Sequence, residues 1–169
     1  TGTSKWNVTL AYGVDSSPAV ADGVVYFFGR DGYLHAFHTN GTFRWDRDLG
    51  GDAYNGVHWR VAPTVSDGIV YQGATKVGIS LNALFAVNAN NGTVKWSFNT
   101  DGDVQSAAAA YNGSVYVVSN NLYAIDASTG SERWNSSLYY GGPAGSPSVA
   151  DGIVYLGWSR AVVALNATD

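Results

Sequence analysis

Ser17-Pro-Ala-Val-Ala-Asp-Gly-Val-Val-Tyr26 returns as Ala62-Pro-Thr-Val-Ser-Asp-Gly-Ile-Val-Tyr71, Ala107-Ala-Ala-Ala-Tyr-Asn-Gly-Ser-Val-Tyr116 and Ser146-Pro-Ser-Val-Ala-Asp-Gly-Ile-Val-Tyr155. The copies begin 45, 45 and 39 residues apart. Each carries Asp-Gly or Asn-Gly between two short apolar runs, the strongest local signal for a two-residue β-hairpin turn. Working outward from the first copy, Pro18 to Ala21 leads through Asp22-Gly23 into Val24 to Phe28. Arg30-Asp31-Gly32 then turns the chain into Tyr33 to His38, and Asn40-Gly41 turns it into Thr42 to Asp46. That makes four short antiparallel strands per unit. A period of about 40 to 50 residues built this way is the signature of propeller blades, because one small twisted sheet cannot bury both faces without neighbours. No window shows sustained helical periodicity, so essentially no α-helix is expected.

The reading is an all-β chain, a β-propeller array of about four four-stranded antiparallel blades, either a four-bladed ring or half of an eight-bladed one. The blades fall at approximately 11–46, 57–98, 104–136 and 144–169, with residues 1–10 completing the last.

Composition narrows the function classes. Of 169 residues, 13% are charged and the net charge is −4, so no basic field exists to hold nucleic-acid phosphates. Apolar runs of five or six residues, such as Val24 to Phe28, fall far short of the roughly 20 a membrane-spanning helix needs. The absence of Cys removes disulfides, thiolate ligands and cysteine nucleophiles together. The absence of Met, even at position 1, reads as a processed chain or a segment of a longer one. Six Asn-x-Ser/Thr sequons, at Asn7, Asn40, Asn91, Asn112, Asn135 and Asn166, favour an exported glycoprotein at the cell surface. Asn-Gly turn formation accounts for Asn40, Asn91 and Asn112 without glycans, but not for Asn7 and Asn135, each directly after a repeat Trp.

Ala124-Ile-Asp-Ala-Ser-Thr-Gly-Ser-Glu-Arg-Trp134 resembles, position for position, the tryptophan-docking motif of pyrroloquinoline-quinone (PQQ)-type propeller repeats. Ala86 to Trp96 matches with Asn88 in place of Asp, and Ala36 to Trp45 is one residue short, which implies a tighter turn. The resemblance implies that Trp45, Trp96 and Trp134 pack between adjacent blades against the Ala and the Gly turn. It also implies rings of seven or eight blades. The fourth unit stops at Ala164-Leu-Asn-Ala-Thr-Asp169 without a Trp, while Thr1-Gly-Thr-Ser-Lys-Trp6 supplies the missing half of a motif. Trp6 is therefore expected to meet the Asn166 end, within one chain or between two.

Many proteins of this resemblance are dehydrogenases that hold PQQ and a metal ion on a Trp floor, with carboxylate and Asn ligands, an Asp base and often a vicinal disulfide. Trp59 and Trp158 lie outside the docking series, and neither has an adjacent acidic pair. Asp101-Gly-Asp103 and Asp46-Arg-Asp48 space oxygens as calcium prefers, without continuing into a binding loop or a distal Glu. PQQ and calcium are possible but unsupported, so no cofactor is expected. His35 and His38 fall on opposite faces of one strand, and with His58 make no metal spacing. No catalytic residue is assigned, and the chain reads as a non-enzyme sooner than an enzyme.

The connection Gly50 to Arg60 leads into the innermost strand of the second blade, on the axial face where propellers commonly bind partners. Its Tyr54, His58, Trp59 and Arg60, with Tyr139 and Tyr140 of a related connection, are the residue types enriched at binding hot spots. Tyr12 and Asp15, and Asp103 and Gln105, lie on the other two connections. The expected function is a non-catalytic extracellular propeller segment, a protein- or glycan-interaction or structural module on a cell surface. Two alternatives stay open: a fragment of a PQQ-dependent dehydrogenase, and a subunit of a surface filament or homo-oligomer joined by strand exchange.

Overall fold

The computed structural model describes residues 1–50, 61–76, 81–104, 106–137 and 145–168. It contains no helix among them and fifteen strands in four antiparallel sheets. The first sheet runs β1 (Ala19–Ala21), β2 (Val24–Phe28), β3 (Tyr33–His38) and β4 (Phe43–Asp48). The second runs β5 (Thr64–Ser66), β6 (Ile69–Lys76), β7 (Leu81–Asn88) and β8 (Val94–Asn99). The third runs β9 (Ala109–Tyr111), β10 (Ser114–Val118), β11 (Asn121–Asp126) and β12 (Glu132–Ser137). The fourth has three strands, β13 (Ser148–Ala150), β14 (Ile153–Trp158) and β15 (Ala161–Asn166), and residues 1–10 form no strand. Among the described residues no strand pairs with β15 on its outer side.

The repeated hairpins form for a local reason. Asp22-Gly23 has φ of 48° and 73°, and Asn112-Gly113 has 46° and 72°, the paired left-handed geometry whose twist matches that of the flanking strands. Asp and Asn tolerate the first position because their short side chains hydrogen-bond locally, and Gly takes the second without a Cβ penalty.

The core lies between sheets, not within them. Val24, Tyr26, Leu34, Ala36 and Trp45 of blade 1 meet Val70, Val87 and Ala89 of blade 2. Tyr71, Leu84, Ala86 and Trp96 of blade 2 meet Val115, Val117 and Ile125 of blade 3. Tyr116, Leu122, Ala124 and Trp134 of blade 3 meet Val154, Leu156 and Ala167 of blade 4. A strand flanked on both sides is buried throughout, as β10 is. In β14, with a neighbour on one side, buried and more open residues alternate from Val154 onward.

Burial between blades pushes the Tyr26 and Tyr71 phenols up from their ordinary value, and Asp67 adds to the effect at Tyr71. A raised folded value means that the stabilising contribution is full below the unfolded phenol value of about 10 and is lost as pH rises above it. Stability measured by urea unfolding is therefore expected to fall as pH rises above about 10, and Tyr26→Phe to flatten that limb. An unchanged alkaline limb in both Tyr26→Phe and Tyr71→Phe would count against burial of these phenols as its cause.

Candidate functional site

The blade junction is the best-defined polar and aromatic constellation among the described residues, and it is assembled from the turns upward. The N–H of Ala89, Ala127 and Ala167 donates to the carbonyl of Gly68, Gly113 and Gly152 at 2.9, 2.9 and 2.8 Å, and that of Thr39 to Gly23 at 2.9 Å. Each Asp/Asn-Gly hairpin thereby fixes a carbonyl on the outer turn of its own blade. Onto those carbonyls the preceding Trp donates its indole N–H: Trp45 to Ala89 at 3.0 Å, Trp96 to Ala127 at 3.0 Å and Trp134 to Ala167 at 3.2 Å. The Tyr26 and Tyr116 hydroxyls donate to the same Ala89 and Ala167 carbonyls at 3.2 and 2.9 Å.

Each Trp is also the cross-strand partner of its own blade's Ala, in the pairs Ala36–Trp45, Ala86–Trp96 and Ala124–Trp134, with a bulge at the next position. The small Ala leaves room for the indole to lean across the wedge between blades. Trp6 makes the equivalent bond to Thr39 at 2.9 Å, over Gly41. Its partner within this chain is therefore the blade 1 turn and not Asn166, whose Oδ1 accepts from the backbone and hydroxyl of Thr168 at 3.2 and 2.9 Å. The reason is geometric, since a docking Trp bonds to the blade after its own.

The blade 1 turn is also the tighter one: the Gly41 N–H reaches back three residues to His38, whereas Gly92 and Gly130 reach back four, to Asn88 and Asp126. Asp126 holds its turn through the Ser128 hydroxyl at 2.6 Å, Arg133 at 2.7 Å and the Ser128 and Thr129 backbone N–H groups. Those bonds, the Ser128 hydroxyl first and Arg133 next, keep its carboxyl well below the usual carboxylate range.

The sequence candidates distribute as follows. Tyr54, His58, Trp59, Arg60, Tyr139, Tyr140 and Gln105 lie outside the described residues. Tyr12 is 51% exposed on the connection into β1, where Asp15 pairs with Arg30 at 2.6 Å. The Asp101 carboxylate accepts from Ser119 at 2.5 Å and Asn121 at 2.8 Å, and its carbonyl from Asn120 at 2.9 Å, so it caps the β10–β11 hairpin. Asp48 accepts from the Gly50 N–H at 2.7 Å. His35 is buried against Asp31 at 3.1 Å and stacked on Phe27, while His38 is exposed.

All six sequon asparagines are exposed. Asn40 and Asn91 accept from the backbone and hydroxyl of Thr42 and Thr93, the same arrangement as at Asn166. At these three positions the Asn-x-Thr spacing is also a turn-forming device. Asn135 donates to Glu132 at 2.6 Å.

No group of three or more His, Cys, Asp or Glu placed to hold a metal ion occurs among the described residues. Among the described residues, Trp158 does not offer a floor for PQQ. Trp158 is buried in the junction of blades 3 and 4 with Tyr116, Val118 and Leu122, leaving no open ring face for a quinone. The chain has no Cys for a vicinal disulfide.

The family described as "Outer membrane protein assembly factor BamB" matches residues 1–110 and 82–169, which together span the chain. The chain belongs to this family of PQQ-like repeats. Among curated relatives it is 28% identical to the outer membrane protein assembly factor BamB of Moranella endobia, over 92% of this chain and 41% of that protein. It is 33% identical to the serine/threonine-protein kinase AfsK of Streptomyces griseus, over 79% of this chain and 17% of that one. Among solved structures, the quinohemoprotein alcohol dehydrogenase ADHIIG of Pseudomonas putida matches at a TM-score of 0.71 and 20% identity, covering 95% of this chain and 33% of that one. The chain thus spans less than half the length of these relatives. An assembly factor, a kinase and a dehydrogenase share this repeat, so the family settles the propeller fold and leaves the chemistry to the residues.

Proposed function

We propose that the chain is a non-catalytic propeller module that acts at a cell surface and binds a protein or a glycan on the face formed by the connections into β1, β5, β9 and β13. The observation that carries this reading is a contrast in side-chain employment. Asp101, Asp126 and the Asp31–His35 pair are engaged in holding turns, whereas Tyr12 stands half-exposed on an axial connection with no structural duty of that kind. The likeness to a protein named for assembly work favours a protein partner over a small substrate. Tyr54, His58, Trp59 and Arg60 would supply the aromatic and cationic anchors there.

The test is binding to a glycan array and to a displayed random-peptide library, repeated with Tyr54→Ala/Trp59→Ala. Ligands selected by the wild type should bind the double variant roughly tenfold or more weakly. Equal binding would remove the axial face as the site. Reconstitution of the complete protein with PQQ and calcium should give neither cofactor absorbance nor dye-linked alcohol oxidation, and either signal would establish the dehydrogenase reading instead. Export is tested separately by glycopeptide mapping of protein from its natural source. Modified Asn7 and Asn135 peptides are expected, and six unmodified sequons would withdraw the support that glycosylation gives to a surface location.

A further inference from the structure

Three Asn-Gly pairs lie among the described residues: Asn40-Gly41, Asn91-Gly92 and Asn112-Gly113. Asparagine before glycine is the pair most open to succinimide formation, because no side chain on the second residue shields its nitrogen from the carboxamide. In two of the pairs the reacting groups are already occupied. The Gly41 N–H donates to the His38 carbonyl at 2.8 Å and the Gly92 N–H to that of Asn88 at 2.9 Å. The Asn40 side-chain oxygen accepts from the Thr42 backbone and hydroxyl at 3.0 and 2.7 Å, and that of Asn91 from Thr93 at 3.0 and 2.8 Å. An indole also lies over each glycine, Trp6 at Gly41 and Trp45 at Gly92, 2.8 Å from where a Cβ would stand.

Asn112-Gly113 has none of these restraints. Among the described residues its side chain makes no hydrogen bond, the Gly113 N–H has no acceptor, and both residues are exposed to water. The side-chain atom closest to a would-be Gly113 Cβ is an Arg133 nitrogen 3.9 Å away. The turn is held instead by its left-handed backbone and by the Ala127 N–H, which donates to the Gly113 carbonyl at 2.9 Å.

We propose that Asn112 is a site of spontaneous deamidation, ahead of Asn40 and Asn91, and an ageing point for the junction of blades 2 and 3. The Gly113 nitrogen gives its proton to hydroxide or a buffer base and bonds to Asn112 Cγ. The carboxamide C–N bond breaks, and its nitrogen leaves as ammonia. Water then opens the succinimide at either carbonyl, giving aspartate or isoaspartate, so the net change is water in and ammonia out.

The two products differ in what they do to the hairpin. Aspartate restores the residue that the sibling turns already carry, since Asp22, Asp67 and Asp151 have φ of 48°, 51° and 51° against 46° at Asn112. Isoaspartate routes the main chain through Cβ, which adds a carbon before Gly113 and abolishes the two-residue turn. The Gly113 carbonyl is then drawn away from the Ala127 N–H, and the Ala127 carbonyl is the acceptor of the Trp96 indole. A change at one exposed residue thereby reaches the packing between blades. This goes beyond the binding reading above, since it holds whatever the axial face captures.

The test is incubation of the folded full chain at mildly alkaline pH in water enriched in the heavy oxygen isotope, followed by peptide mass mapping. Protein produced without glycans is used, because a glycan on Asn112 would occupy the nitrogen that must leave. Conversion at Asn112 should run roughly tenfold or more faster than at Asn40 or Asn91, where hydrogen bonds of the reacting groups must first open. Freshly prepared Asn112→Asp should unfold in urea as the wild type does, while aged wild type should gain a less stable population in proportion to its isoaspartate. Asn40 or Asn91 keeping pace with Asn112, or an Asn112 that converts only in denaturant, would overturn the assignment. An isoaspartate population as stable as Asn112→Asp would overturn its link to the blade junction.

Discussion

Replacing Trp96 by alanine is expected to cost roughly 3–5 kcal/mol of unfolding free energy, the range for emptying a large aromatic from a core. Trp96 is 9% exposed, sits with its ring centroid 5.9 Å from that of Tyr71, and donates across the junction to Ala127. Its removal leaves a void in a wedge whose two walls are separate sheets, each tied by its own ladder, so neither can collapse inward without breaking strand pairing. The Ala127 carbonyl also loses its indole donor. Trp6→Ala supplies the comparison, because Trp6 makes the same kind of bond while 37% exposed and with an apolar groove at its side. In the isolated chain its loss should cost about 1 kcal/mol, mainly the hydrogen bond and partial burial. Urea unfolding followed by circular dichroism measures both. If the two variants were equally destabilised, the interlocking role of the Trp between complete blades would be wrong.

Much of the fold was legible because the decisive signals are local. Asp22-Gly23, Asp67-Gly68, Asn112-Gly113 and Asp151-Gly152 each specify a hairpin through the backbone freedom of two residues, and their recurrence specifies blades. The shortened Ala36-to-Trp45 spacing foretold the tighter turn seen at Gly41. The resemblance places each docking Trp between adjacent blades, but the residues themselves do not display which carbonyl on the next blade accepts its indole N–H. The acceptor for Trp45 lies 44 residues away, and nothing in the residues around Trp45 marks Ala89 as its partner. For the same reason the residues around Trp6 did not disclose that its indole bonds within this chain to Thr39, on the turn of blade 1, and not to the Asn166 end. Asp101 illustrates the difficulty for chemistry. Asp-Gly-Asp looks alike whether its oxygens await calcium or cap a hairpin, and Ser119 and Asn121, the donors that Asp101 takes up here, stand 18 and 20 residues away. The sequons are ambiguous for a related reason, since a side-chain oxygen two residues before a hydroxyl is what both a glycosylation signal and an Asx turn require.

Gly130→Ala should be far more damaging than its small size suggests, and most of that damage should vanish when Trp96 is also alanine. A Cβ at Gly130 would stand 2.7 Å from the Trp96 ring, and Gly92 bears the same relation to Trp45 at 2.8 Å. Both glycines also have a left-handed backbone, with φ of +76° at Gly130. The backbone term alone costs about 1–2 kcal/mol, and displacing a packed indole adds roughly 1–3 kcal/mol more. Gly68 separates the two effects, because at φ +72° it has nothing within 4 Å of its would-be Cβ. Gly68→Ala should therefore show the backbone cost alone. In the Trp96→Ala background the ring is gone, and Gly130→Ala should fall to the Gly68→Ala value, giving a coupling of about 1–3 kcal/mol between residues 34 positions apart in sequence. Additive losses in that double-mutant cycle would mean that the glycine is retained for its turn alone, and that the Trp is held by its hydrogen bond and its own blade without needing the space that Gly130 leaves open.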